Sequence, residues 1–211
     1  PRDYCMDNTE GDEHEMCDDK CDSNESPLVL DFKGDGVRAT SVAKGIHFDL
    51  NSDGIPEKTA WLSPLDLKPI SSQQKRAMDD VFLARDLNNN GIIESGRELF
   101  GQATVLESGS TSINGFIALS DLDSNRDAVF DVNDKEFKNL LLWDDGNHNG
   151  KSEKLELKKL SHFVSSINLK FDPTNESDEH GNKIFSKSTF KTRAGDSKPI
   201  VDIYFKFEEQ K

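Results

Sequence analysis

Asp145-Gly146-Asn147-His148-Asn149-Gly150-Lys151-Ser152-Glu153-Lys154-Leu155-Glu156 is the stretch on which the reading of this chain turns. Counted from Asp145, oxygen-bearing side chains stand at the first, third and fifth places (Asp145, Asn147, Asn149) and a glycine bend at the sixth. Carboxylates follow at the ninth and twelfth (Glu153, Glu156), and Lys151 at the seventh offers its main-chain carbonyl. A hard cation such as calcium takes six to eight oxygens at about 2.3–2.6 Å, and a twelve-residue loop of this pattern supplies them. An Asn/Gly-rich turn would explain the first six residues on backbone grounds alone. It leaves the spaced Glu153 and Glu156 without a reason.

Working outward, the pattern returns in weaker copies, for five acidic runs in 211 residues. The run at Asp123 carries Asn125, Asp127, the Val129 carbonyl, Asp131 and a twelfth-place Asp134, but Ala128 replaces the bend glycine and must accept a positive φ or reshape the loop. At Asp86 the donors are Asn88, Asn90, the Ile92 carbonyl and Glu94; Arg97 holds the twelfth place and the closing carboxylate, Glu98, comes one residue later. The run at Asp49 has Asn51, Asp53, the Ile55 carbonyl and Glu57, then reaches Ala60 with no closing acid, so another segment must complete the shell. At Asp31 the third place is Lys33, whose ammonium cannot ligate. That run reads first as a turn, with Asp31 and Asp35 available to complete a neighbouring shell.

Apolar residues recur at helical spacing around the last two runs: Phe116, Leu119 and Leu122; Phe137, Leu140 and Leu141; Leu155, Leu157 and Leu160. They predict a helix-loop-helix pair of EF-hand type. Strands are expected at Leu28–Leu30, at Ile46 and Phe48, and at Val81–Leu83. The alternations Ile167, Leu169, Phe171 and Val201, Ile203, Phe205, Phe207 predict a C-terminal antiparallel meander with loops at 172–183 and 191–199. The expected fold is therefore α+β, an EF-hand-like pair with short strands and a C-terminal meander, stapled by several calcium ions. Ser63 to Asp80 reads as an insertion with a helical piece.

Composition supports a metal-stapled body. Apolar residues are 34 %, charged residues 31 %, and the formal net charge is −14, so the bare chain repels itself. The same sign argues against nucleic acid or an anionic membrane as partner. Residues 1–26 hold ten acids against Arg2 and Lys20 and read as a linker or tail, leaving 27–211 as the module. All three cysteines, Cys5, Cys17 and Cys21, fall in that tail, where at most one internal disulfide can form. His14 with two of these cysteines does not complete a zinc site. No stretch approaches the ~20 apolar residues of a membrane helix, no signal sequence is present, and the start at Pro1 reads as a fragment or processed product.

Pro27-Leu28-Val29-Leu30-Asp31 with the following GDG, then HFDLNSDGIPEKTAW, DLNNNGIIESGRELFG, NGFIALSDLDSNRDAVFDVNDKEF, LLLWDDGNHNGKSE and the closing VDIYF resemble the calcium-binding self-processing module of iron-regulated RTX proteins of Gram-negative bacteria. The resemblance covers residues 27–207, and the glycine-rich nonapeptide repeats of RTX arrays are absent. It implies a module of a larger secreted bacterial protein that calcium folds and that cleaves an Asp-Pro bond at its N-terminal edge, with an Asp-Lys isopeptide link afterwards. In that chemistry the aspartate carboxylate attacks its own backbone carbonyl to form a cyclic anhydride and the proline nitrogen leaves. Here the matching dipeptide is Ser26-Pro27. A hydroxyl cannot form the anhydride, so no cleavage is expected at this bond and no catalytic residue is assigned. The internal Asp172-Pro173 reads as an ordinary turn. Competing readings are an autoprocessing module acting on an Asp-Pro bond upstream, part of an antibacterial secreted effector that meets another protein, and a dockerin-like binder. No Ser/His/Asp or Cys/His grouping can be built, and Trp61 and Trp143 read as core anchors.

Overall fold

The computed structural model describes residues 26–63 and 78–208. The acidic tail with its cysteines and most of the Ser63–Asp80 insertion lie outside them. Among the described residues eleven strands are formed: β1 Leu28–Asp31, β2 Ile46–Phe48, β3 Glu57–Thr59, β4 Asp80–Ala84, β5 Val129–Asp131, β6 Leu141–Trp143, β7 Leu157–Lys159, β8 Val164–Asn168, β9 Asp172–Ser177, β10 Lys183–Thr192 and β11 Ser197–Tyr204. One α-helix, α1, spans Gly115–Ser120, and three short 3₁₀ turns cover Val42–Lys44, Gly96–Glu98 and Leu160–His162.

Nine strands make one antiparallel sheet in the order β5-β8-β10-β11-β1-β4-β6-β7, with β9 also on β10, and β2 pairs β3 separately. The centre is built by β1 and β4, whose unbroken apolar runs fit strands buried on both faces. Alternation sends Leu28, Leu30, Val81, Leu83, Leu142 and Ile200 into a first core shared with Phe116 and Leu119 of α1. It sends Val29, Phe82, Trp143, Val201 and Ile203 into a second core with Phe48, Trp61 and Phe205. Trp61 lies 4.6 Å from Phe82 and 5.5 Å from Trp143, ring centre to ring centre. Both tryptophans are fully buried anchors.

The EF-hand-like α+β expectation is overturned: the fold is an almost wholly antiparallel β-sheet with no helix-loop-helix pair among the described residues. Around Phe116 a helix does form, but it lasts six residues. Leu140 and Leu141 belong to a turn and the start of β6, and Leu157 and Leu160 to β7 and a 3₁₀ turn. Leu155 is 91 % exposed and so on no apolar face. Each helical pattern is short enough for a turn and a strand to imitate, since three apolar residues within seven positions fit either. The C-terminal loops are corrected too. Residues 172–177 form β9, an exposed edge strand on β10, and Asp172-Pro173 lies in it rather than in a turn. An edge position tolerates Pro173, which has no N–H to donate, and polar side chains that give no apolar alternation.

Candidate metal centre

The acidic runs share one backbone turn. In each, the first-place carboxylate accepts main-chain N–H groups from the sixth place and from the fourth or fifth: Asp49 from Asp53 and Gly54, Asp86 from Asn90 and Gly91, Asp123 from Arg126 and Ala128, Asp145 from Asn149 and Gly150, Asp31 from Gly34 and Gly36. The fourth and sixth places are both left-handed throughout, with φ of 62° at Ser52, 58° at Asn89, 60° at Arg126 and 58° at His148. Ala128 accepts a φ of 64°, so the loop keeps its shape without the glycine. Fifth-place oxygens then take the seventh-place amide: Asp53 from Ile55, Asn90 from Ile92, Asp127 from Val129 and Asn149 from Lys151. Asn51, Asn88 and Asn125 likewise accept from the fifth-place amides.

Closure repeats as well. Glu156 accepts from the amides of Gly146 and Glu153, the second and ninth places of its run. Asp134 accepts from Ser124 and Asp131, and Glu98 from Leu87 and Glu94, again second and ninth. The one-residue delay of Glu98 is absorbed by the 3₁₀ turn Gly96–Glu98. In the Asp49 run three of the run's own carboxylates come together. Buried Glu57, at the ninth place, brings an oxygen within 4.8 Å of those of Asp49 and Asp53. Burial pushes its carboxyl up, as it does that of Glu98. Glu156 is pushed up to about 7 by burial and by the Glu153 carboxyl beside it, while Glu153 is held down by that same partner. Closing acids are thus taken out of water among other acids, an arrangement that favours a cation.

Three loops abut. Ile93 in the Asp86 loop donates its amide to Ser152 Oγ of the Asp145 loop at 2.6 Å. Gly96 donates to the Asp49 carbonyl at 2.8 Å, and Gly150 packs on Ile46 so closely that a Cβ there would sit 2.7 Å from Ile46 Cδ1. Trp61 Nε1 donates to Asp145 Oδ2 at 2.8 Å, which ties this group to the second core. The Asp123 loop stands apart, its Ala128 carbonyl accepting from Leu169 beside β8. Asp35 is paired with Arg38 at 2.9 Å. Asp31 lies beside Asp79 and Asp80, two acids the motif reading did not single out. Their signal was an acidic pair directly before the apolar run of β4.

Among the described residues the side-chain donors gathered in these runs are carboxylate and amide oxygens, a set suited to a hard cation. No helix among the described residues is long and apolar enough to cross a membrane. A family model described as SPM domain matches residues 28–206. The iron-regulated protein FrpA of Neisseria meningitidis serogroup C is 35 % identical over 181 residues, which is 84 % of this chain and 15 % of that protein. This chain therefore spans a small part of its relative's length. On the extent of these matches and the order of its motifs, the chain belongs to the SPM domain family, the self-processing modules associated with RTX proteins.

Proposed function

We propose that this chain is a calcium-binding module of a larger secreted bacterial protein, loose where calcium is scarce and compact outside the cell. The observation that carries the reading is the repeated closure: in the runs from Asp86, Asp123 and Asp145 a carboxylate reaches back to the second and ninth amides. A turn alone has no use for it. The Asp49 run lacks that closure and instead gathers the carboxylates of Asp49, Asp53 and Glu57 within 4.8 Å of one another. A ligand bound only by the folded state contributes about 2.7 kcal/mol at a hundredfold excess over its dissociation constant. Four such sites match the 5–15 kcal/mol that holds an ordinary domain. The test is to strip the protein with a chelator, add calcium back in a calorimeter and follow near-ultraviolet circular dichroism. Uptake of several ions with a gain of fixed tertiary signal is expected. Equal folding and equal melting with and without calcium would remove the proposal.

The chain is further proposed to leave its Ser26–Pro27 bond intact. Ser26 is buried, its carbonyl packed where a Cβ on Gly101 would come within 1.4 Å, and Pro27 accepts from Ile203 N at 3.2 Å. The junction is packed in the interior, but a hydroxyl stands where the anhydride route needs a carboxylate. Mass spectrometry after incubation with calcium should find the wild-type bond uncut.

A further inference from the structure

We infer that Asp31, Asp79 and Asp80 form an interior calcium site, in which Asp80 at the start of strand β4 and Asp79 just before it supply the closing carboxylates that the first acidic run lacks. The inference rests on the calcium reading above for the identity of the ion. It extends that reading to a place where the run itself argues against binding.

The Asp31 run has the same turn as its neighbours, with Gly34 and Gly36 left-handed at φ 76° and 97° and both donating to the Asp31 carboxylate. What it lacks is an oxygen at the third place, which is Lys33, and an acid at the twelfth, which is Val42. Sheet pairing makes up the second deficit. β1 runs antiparallel to β4, so that Asp31 stands directly opposite Asp80, and Phe32 N donates to the Asp79 carbonyl at 2.9 Å. One oxygen from each of the three carboxylates lies within 4.8 Å of the others. Asp31, Asp79 and Asp80 are 0 %, 2 % and 7 % exposed.

A cluster of acids alone would be weak ground; the unspent oxygens are the second observation. Asp79 Oδ1 and Asp80 Oδ1 are buried with no hydrogen-bond partner among the described residues. Their sister oxygens are spoken for, Asp79 Oδ2 by Lys33 Nζ at 3.1 Å and Asp80 Oδ2 by the Arg38 amide at 3.0 Å. The Arg38 guanidinium is turned to Asp35. Buried carboxylate oxygens are ordinarily paired, and like charges directly opposite on neighbouring strands repel. A cation among the three acids answers both facts at once. Lys33, half exposed, bonds one of the four oxygens of Asp79 and Asp80 and leaves the two buried ones untouched.

The test counts ions. After chelation, the full chain is titrated with calcium and bound metal is measured by equilibrium dialysis, for wild type, Asp79→Asn with Asp80→Asn, and Lys33→Asn. The first variant should bind one ion fewer than wild type. Lys33→Asn restores the third-place oxygen that the other loops carry and removes the competing ammonium. It should leave the count unchanged and tighten one site about tenfold, the scale on which such loops move with ligand set. An unchanged count in the double variant overturns the inference, since a shared proton rather than a metal then relieves the repulsion. If that variant does not fold, Lys33→Asn decides: calcium affinities all equal to wild type overturn the site. A wild type that binds no calcium at all would sink the proposed function with it, whereas a wild type that binds calcium with neither variant altering it sinks this inference alone.

Discussion

The Asp145 and Asp123 loops close in the same way and sit in opposite surroundings. Around Asp145 everything is shared: its carboxylate holds the Trp61 indole, Ser152 reaches into the Asp86 loop, and Gly150 is wedged on Ile46. Around Asp123 the neighbours are β8, on which the run's own strand β5 pairs, and the end of α1, whose Ser120 carbonyl accepts from Asp123 N. The turn is therefore a local property, written in six residues. What an ion does once bound depends on which core the loop leans on. Filling the Asp145 loop should order three loops and the tryptophan core together, and filling the Asp123 loop should order its own corner.

The largest effect expected from this contrast is that of Asp145→Ala with Glu156→Ala. It removes one ion, worth about 2.7 kcal/mol at a hundredfold excess, and leaves the buried Trp61 N–H without an acceptor, a further loss of about 1–3 kcal/mol. A total near 5 kcal/mol, read as a fall in denaturant midpoint in saturating calcium, should come with altered tryptophan fluorescence. The matching pair Asp123→Ala with Asp134→Ala should cost about half as much and leave the fluorescence as it was. Equal costs and equal spectra would break the comparison.

Next in size is a pH effect that belongs to the Asp123 side. Asp202 of β11 is fully buried in the first core, where it accepts from Gly115 N at the start of α1 at 3.2 Å. Burial pushes it up to about 7 against smaller opposing effects of the Ser26 hydroxyl and that amide. The folded state holds this proton more tightly than the unfolded chain does. Stability from this group is therefore complete below about pH 4 and is lost as pH rises through 7. Ionising a carboxyl held near 7 rather than near 3.8 costs about 4 kcal/mol. Asp202→Asn copies the protonated form, so it should gain on wild type by up to about 4 kcal/mol at pH 8.5 and progressively less toward pH 5. Denaturant melts at matched calcium would show it, and a difference independent of pH would refute it.

How much of this was legible beforehand divides along the same line. The five turns and the reach of Glu98 follow from spacing within a dozen residues, because the hydrogen bonds that shape them run between near neighbours, whereas spacing leaves Ala128 two choices and the structure shows the positive φ. The sheet does not. That Leu141–Trp143 is a strand and not a helical face is decided by Leu83 and Phe82 opposite it, and that residues 172–177 join β10 is decided by main-chain pairing that leaves no apolar pattern. Asp79 and Asp80 stand as an acidic pair before an apolar run, but their partnership with Asp31 is not in the spacing, since the β1–β4 register brings them together. Glu57 was the intermediate case. Spacing gives it as a ninth-place donor, but its burial beside Asp49 and Asp53 depends on where β3 begins.

A smaller test of the sharing among loops is Ser152→Ala. Ser152 Oγ accepts the Ile93 amide at 2.6 Å and lies 3.3 Å from its carbonyl, so removing the hydroxyl leaves both groups of a buried residue unpaired. A cost of about 1–3 kcal/mol is expected. More telling than the cost, calcium uptake at the Asp86 and Asp145 loops should become less cooperative in calorimetry, while uptake at the Asp123 loop is unaltered. Unchanged coupling would mean that the two loops merely touch.

The smallest effect separates what the turn needs from what it tolerates. Ala128 holds a φ of 64° at the place where the other loops have glycine. A non-glycine residue pays about 1–2 kcal/mol in that region, while glycine loses about 0.4–1 kcal/mol more chain entropy on folding than alanine does. Ala128→Gly should thus stabilise the protein by about 0.5–1 kcal/mol and tighten the Asp123 loop for calcium by a few-fold, because less of the binding energy goes into forming the turn. Gly150→Ala makes the reverse case at the equivalent place of the Asp145 loop. There φ is 68° and an added Cβ would also meet Ile46 Cδ1 at 2.7 Å, so the loss should exceed the gain at Ala128. Thermal melts of the two variants in saturating calcium should move in opposite directions, and a shift of the same sign in both would show that backbone strain at the sixth place does not govern these loops.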